Sequence, residues 1–198
     1  MTKYILAGGA DRRSATFGRE LAKEVFKTVN KPVKILSCFF AIPEDEWEAS
    51  LADRTGWYKE YFGADMQITL AKLENFQAQV ESADVLYFHG GDDELLLNVV
   101  NKIPNFKHLI SKPKVVIGSS AGAIMLSTLS WCCDRRVNEH GVGAVPVKVL
   151  VHYGSNYGSE TELGAIDWEK AEQDMEEAPG DMPILKIREG EFEVCKFY

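Results

Sequence analysis

Gly118-Ser119-Ser120-Ala121-Gly122 reads G-x-S-x-G. The pattern singles out Ser120, not Ser119, as a hydroxyl raised on a sharp turn between small residues. A serine nucleophile needs a base to take its proton and a carboxylate to orient that base. The chain has four histidines, His89, His108, His140 and His152. His89 and His152 each close an apolar run, whereas His108 falls in a surface-helix pattern and His140 lies beside Gly141. His89 directly precedes Gly90-Gly91, where backbone N–H groups can face a developing oxyanion. A charged base there would compete with those donors. His152 comes from a later segment and can approach Ser120 from the opposite side, so it is the expected base. The N–H of Ala121, next after the nucleophile, is the natural second oxyanion donor. Spacing leaves the acid open: Asp134 and Glu139 lie between Ser120 and His152, and Glu160, Asp167 and Glu189 lie beyond it. Asp92-Asp93 reads as a helix cap rather than a metal site.

These groups need a scaffold that brings strand ends together. Val115-Val116-Ile117 is a buried-strand run, and Ala123-Ile124-Met125-Leu126 starts a buried helix, so the serine turn has a strand before it and a helix after it. Ahead of it, apolar segments predict strands at Tyr4–Ala7, Val33–Phe40, Met66–Leu70 and Asp84–His89. Helical patterns lie between them, over about Ser14–Val29, from Glu44 to Phe62, over Leu73–Val80 and over Glu94–Val100. Such alternation predicts a parallel sheet covered by helices on both faces, with the strands ending at Ala7, His89 and Ile117 as neighbours. In such a sheet ligands collect beyond the carboxyl ends of the strands. Further on, Trp131–Gly143 reads as a loop excursion and Val147–Tyr153 as a strand. A helix is predicted from Ser159 to Glu177. Pro183–Arg188 and Glu191–Tyr198 flank Glu189-Gly190 as a terminal hairpin.

At 198 residues the chain predicts one domain. Its 45% hydrophobic and 26% charged content is that of a globular protein, and a net charge of −8 argues against nucleic acid or an anionic membrane as partner. The first apolar run is too short for a signal peptide, and no stretch has the length of a membrane span. Cys38, Cys132, Cys133 and Cys195 form no metal spacing and read as reduced thiols, so the expected location is the cytoplasm.

Gly-Ser-Ser-Ala-Gly-Ala at 118–123 resembles the G-x-S-A-G-A signature of the peptidase S51 family, which includes dipeptidase E and cyanophycinase. Val85–Asp92 is similar to that family's strand and glycine cluster, with His89 at a position where glycine is frequent. Val145–Tyr153 is similar to its strand before a Pro-His-Phe/Tyr segment, with Val151 in place of the proline. Leu185–Gly190 is similar to its late Leu-x-x-Glu-Gly segment. The resemblance implies a three-layer α/β/α fold, mostly parallel and like that of class I glutamine amidotransferases. It implies one catalytic domain over 1–198, a triad and no metal or other cofactor. It matches Ser120 to the nucleophile, His152 to the base, and Gly91 and Ala121 to the oxyanion donors. Its acid lies between serine and histidine, which favours Asp134, with Glu139 second.

The expected activity is therefore hydrolysis of short peptides through an acyl-enzyme, including peptides with an N-terminal aspartate. A cation for that carboxylate would come from Arg12, Arg13, Arg54, Arg135 or Arg136. Another acyl hydrolase, an esterase or amidase, is the alternative on the same site. A binding module that kept the crevice without turnover is the non-enzymatic one.

Overall fold

Strands buried on both faces form the centre of the molecule. The computed structural model describes residues 1–14 and 16–195. In chain order the elements are β1 (Lys3–Ala7), α1 (Phe17–Phe26), β2 (Lys34–Cys38), α2 (Trp47–Phe62), β3 (Gln67–Leu70), α3 (Phe76–Ser82), β4 (Val85–Phe88), α4 (Asp93–Val100) and α5 (Phe106–Leu109). There follow β5 (Val115–Ser119), α6 (Ala121–Leu126), β6 (Leu129–Cys132), β7 (Val137–His140), β8 (Lys148–Leu150), α7 (Trp168–Glu177), β9 (Ile184–Lys186) and β10 (Phe192–Cys195).

Among the described residues, six strands make the main sheet in the order β10-β1-β5-β4-β2-β3. All its pairings are parallel except β10 against β1. Successive side chains on a strand point to opposite faces, and the core divides accordingly. Ile5, Ala7, Val85, Tyr87, Val115 and Ile117 pack under Phe17, Leu21 and Val25 of α1 and Tyr58 and Phe62 of α2. Tyr4, Leu6, Leu86, Phe88 and Val116 pack against Val80 of α3, Leu96 and Val100 of α4, and Ile124 and Met125 of α6. This is the three-layer, mostly parallel α/β architecture that the strand–helix alternation predicts. The strands ending at Ala7, His89 and Ile117 are consecutive neighbours, β1-β5-β4.

The second half departs from expectation. The Trp131–Gly143 excursion is not a loop. It carries the β6–β7 hairpin, whose β6 also pairs in parallel with β8, and β8 with β9, giving a second sheet in the order β7-β6-β8-β9. Leu129, Ser130, Trp131 and Cys132 are all buried, so β6 lacks the alternation that marks a half-exposed strand. The terminal hairpin is also corrected: β9 joins the second sheet and β10 the first, so the two never pair. Residues 196–198 of that expectation lie outside the described residues. The late helix begins at Trp168 rather than Ser159. Gly164, at φ 65°, falls in the stretch before it, and Asp167 caps its start by accepting from the Lys170 N–H. The four cysteines are buried and unbridged. Among the described residues no helix is long and apolar enough to cross a membrane.

Candidate active site

The turn between β5 and α6 follows from its glycines. A Cβ on Gly118 would lie 2.4 Å from the Gly122 carbonyl oxygen, and one on Gly122 would lie 2.4 Å from the Phe88 carbonyl oxygen. Only glycine lets β5, β4 and α6 approach this closely. Ser120 sits between them at φ 50° and ψ −113°, outside the regions open to ordinary residues. Its N–H is tied to the Ala7 carbonyl at 3.0 Å, which holds the strained turn against β1.

His152 is the histidine that reaches it. Its Nε2 lies 2.9 Å from Ser120 Oγ, and its Nδ1 lies 2.9 Å from Glu189 Oε1. The backbone of His152 is left-handed at φ 54°, with its N–H bonded to the Gly8 carbonyl at 2.9 Å. Its ring lies against Gly9, where a Cβ would come 2.4 Å from Cε1. Tyr157 stacks on the ring at 4.0 Å and 18°. Burial lowers the imidazole pKa below the ordinary histidine value, outweighing Glu189, which raises it. The ring is thus neutral near neutral pH, the form in which it can accept a proton.

The acid expected at Asp134 is not there. The carboxylate on His152 belongs to Glu189, while Asp134 accepts from the Tyr157 hydroxyl at 3.4 Å. Glu139 is also elsewhere, bonded to Arg135 at 2.6 Å. Glu189 is brought in by the parallel pairing of β8 with β9, in which Leu150 faces Lys186, so the residues just beyond each strand meet. The sequence signal was present: Glu189-Gly190, like His89-Gly90, closes a strand segment with glycine.

Gly91 and Ala121 line one small recess with Ser120 and His152. Among the described residues neither N–H has a backbone acceptor. Gly91 is held at φ 148°, with the Ala41 carbonyl oxygen only 2.2 Å from where a Cβ would be. The other histidines take no part in the pair: Nε2 of His89 is bound to Ser37 and Tyr58, His108 lies on α5 and His140 on β7. Asp92 caps α4, accepting from the Leu95 N–H at 2.8 Å.

The site opens into a cleft of about 940 Å³ whose walls include Arg12, Arg13, Arg54 and Arg135. Of the five candidate cations, Arg136 is not in this wall; it bonds the Gly164 carbonyl at 2.7 Å. Arg12 is paired with Asp53 at 2.6 Å, and Arg135 with Asp93 at 2.8 Å and Glu139 at 2.6 Å. Asp93, Cys132 and Glu139 present ligand atoms within 4.8 Å of one another, but Arg135 already pairs with both carboxylates and occupies the place a cation would take, so this cluster does not read as a metal site.

The chain is similar to a crystal structure of a peptidase from an acI-B1 Actinobacterium. The TM-score is 0.71 at 20% identity, over 99% of this chain and 84% of that one. At that identity the likeness shows a shared fold. No protein-family model and no curated protein matches the chain.

Proposed function

We propose that this protein is a serine peptidase of the S51 type, a single cytoplasmic catalytic domain that hydrolyses short peptides. The observation that carries the reading is the continuous relay from Ser120 Oγ through His152 to Glu189, both links at 2.9 Å, built on a strained strand-to-helix turn. The fold shared with a peptidase structure supports the same reading at a coarser level.

In this reading Ser120 Oγ attacks the peptide carbonyl carbon while His152 Nε2 takes its proton. Glu189 holds Nδ1–H and stabilises the imidazolium as it forms. The carbonyl oxygen, now negative, accepts from the N–H groups of Gly91 and Ala121. The tetrahedral species collapses, the C–N bond breaks, and His152 returns the proton to the departing amine. Water, deprotonated by the same imidazole, then attacks the acyl ester and releases the acid and Ser120. An N-terminal aspartate is the preferred first residue, because the cleft wall carries several arginines in an otherwise acidic protein.

Labelling with a fluorophosphonate, followed by assay of a dipeptide library and of simple esters, tests the reading. The expected result is covalent modification at Ser120, lost in Ser120→Ala, and turnover of dipeptides. Turnover of esters with none of any peptide would make it a different acyl hydrolase. An unlabelled, folded protein would leave a binding module.

A further inference from the structure

Between Tyr153 and the Asp167 that caps α7, the chain runs as a strap beside the cleft, and Asn156, Tyr157 and Gly158 form part of the cleft wall. The backbone bonds of this strap are all local. Among the described residues, those of 154–164 run from the Ser155 N–H to the His152 carbonyl, Ser159 to Asn156, Thr161 to Gly158 and Gly164 to Thr161. Side chains supply the ties to the body. Arg136 donates to the Gly164 carbonyl at 2.7 Å, Trp168 Nε1 to the Ser155 carbonyl at 3.3 Å, and the Tyr157 hydroxyl to Asp134 at 3.4 Å. A segment with so few long-range bonds opens at a small fraction of the cost of unfolding the domain.

Both ends of the strap are glycines used for conformation alone. Gly154 and Gly164 hold φ of 70° and 65°, and a Cβ added at either would meet nothing within 4 Å. Space does not require glycine there; the left-handed backbone favours it. The glycines of the serine turn are the opposite case, because a Cβ on Gly118 or Gly122 would collide with backbone.

Tyr157 is where the strap meets the site. Its ring covers His152 at 4.0 Å. The wide cleft and the small recess behind Ser120 share Gly91, Asp93, Ser120, Asp134, His152 and Tyr157 as walls. Of these, only Tyr157 belongs to the weakly tied strap. The recess holds about 10 Å³, room for about one water and for no side chain. Ala121 lines the recess and not the cleft, whereas Gly91 lines both. A carbonyl oxygen arriving from the cleft thus meets Gly91 first, and the Ala121 N–H lies beyond the walls that Tyr157 and Asp134 share.

We propose that residues 154–164 form a hinged gate: turning about Gly154 and Gly164, they lift Tyr157 off His152 and join the recess to the cleft, which admits a substrate's carbonyl oxygen to the Ala121 N–H. The gate's purpose rests on the peptidase reading above; its motion does not. The position in this structure is the closed one, in which Tyr157 shields one face of the His152 ring from water.

Three measurements on the intact protein test it. The first is hydrogen exchange of the backbone amides of 154–164, read by mass spectrometry. The second is alkylation of Cys133 by iodoacetamide, located by fragment mapping. Cys133 is buried and lines the recess but not the cleft, while Cys38 and Cys195, buried elsewhere, report global unfolding. The third is the rate of fluorophosphonate labelling at Ser120. Gly164→Ala penalises the closed backbone without a clash, and Arg136→Met removes the donor to the Gly164 carbonyl. Each is expected to speed exchange of 154–164, alkylation of Cys133 and labelling of Ser120 by about fivefold or more, with Cys38 and Cys195 unchanged. Gly164→Asn should stay nearer to the wild type, because asparagine tolerates the left-handed region. Exchange of 154–164 as slow as that of β5, or alkylation of Cys133 that only follows Cys38 and Cys195, would overturn the gate. Faster exchange and alkylation with an unchanged rate of Ser120 labelling would also overturn it, since the strap would then move without controlling the serine. If no protein labels at Ser120 while Cys133 alkylation rises in both variants, the peptidase reading fails and the hinged opening of the recess stands.

Discussion

Ser120 and His152 both hold positive backbone φ, at 50° and 54°, and their side chains meet at 2.9 Å. Each such conformation costs a residue with a Cβ about 1–3 kcal/mol. The fold supports both with backbone bonds to the strand and turn at 7–8: Ser120 N–H to the Ala7 carbonyl at 3.0 Å, and His152 N–H to the Gly8 carbonyl at 2.9 Å. Ser120 and His152 are thus both positioned from a common point, the end of β1. Ser120→Ala and His152→Ala should each lower kcat by about a thousandfold or more, and the double variant should be hardly worse than either, because such groups act as a unit. Steady-state kinetics on folded variants check this; losses that multiply would mean the two act separately.

The two carboxylates near His152 should separate cleanly. Glu189→Ala should reduce kcat by about a hundredfold or more, since it leaves Nδ1–H without its acceptor. Asp134→Ala, which loses only the bond from the Tyr157 hydroxyl, should cost about tenfold or less. The opposite ranking, read from kcat of the two variants, would return the acid to Asp134.

The pH profile carries a sign. The acid limb of kcat/KM follows the free-enzyme pKa of His152, which burial holds below the ordinary histidine range. Glu189 raises that pKa by favouring the charged ring, so Glu189→Gln should move the limb to lower pH while lowering the plateau. Tyr157→Ala exposes the stacked face of the ring, relieves desolvation and should move the limb to higher pH. Limbs that stay together in all three proteins would mean another group controls the profile.

Gly9 tests the packing behind the base. A Cβ there would lie 2.4 Å from His152 Cε1, at a backbone φ of 101°. Gly9→Ala should push the ring off Ser120 and lower kcat by about a hundredfold. Fluorophosphonate labelling should slow in parallel, and an unchanged rate of labelling would show that the ring is not displaced.

His89 should make the fold acid-sensitive. Its folded pKa lies well below the ordinary value, so the unfolded chain takes up the proton first. The contribution to stability is full above the ordinary histidine range and is lost as the pH falls through it toward the folded value. In His89→Phe, Tm should therefore fall less than in the wild type between about pH 7.5 and about pH 5. Parallel curves would place the acid sensitivity elsewhere.

The serine elbow was legible because it is local. Five consecutive residues contain both glycines that the close approach of β5, α6 and β4 demands, and the apolar runs on either side define the strand and the helix. The three-layer fold was legible for a similar reason: β1, β4 and β5 are buried throughout, as strands covered on both faces must be. His152 could be preferred over His89 because only one of them precedes the glycine turn. The acid could not be chosen, since Glu189 lies 37 residues beyond His152 and Asp134 only 14 beyond Ser120. Distance along the chain carries no information about which carboxylate meets the ring. That was decided by the parallel register of β8 on β9 and by the separation of β9 and β10 into different sheets, which turns the chain at Glu189-Gly190 across the end of β1. Strand pairing between distant segments depends on long-range packing, so the sequence determined the serine turn and the layers, and only the tertiary structure determined which carboxylate meets His152.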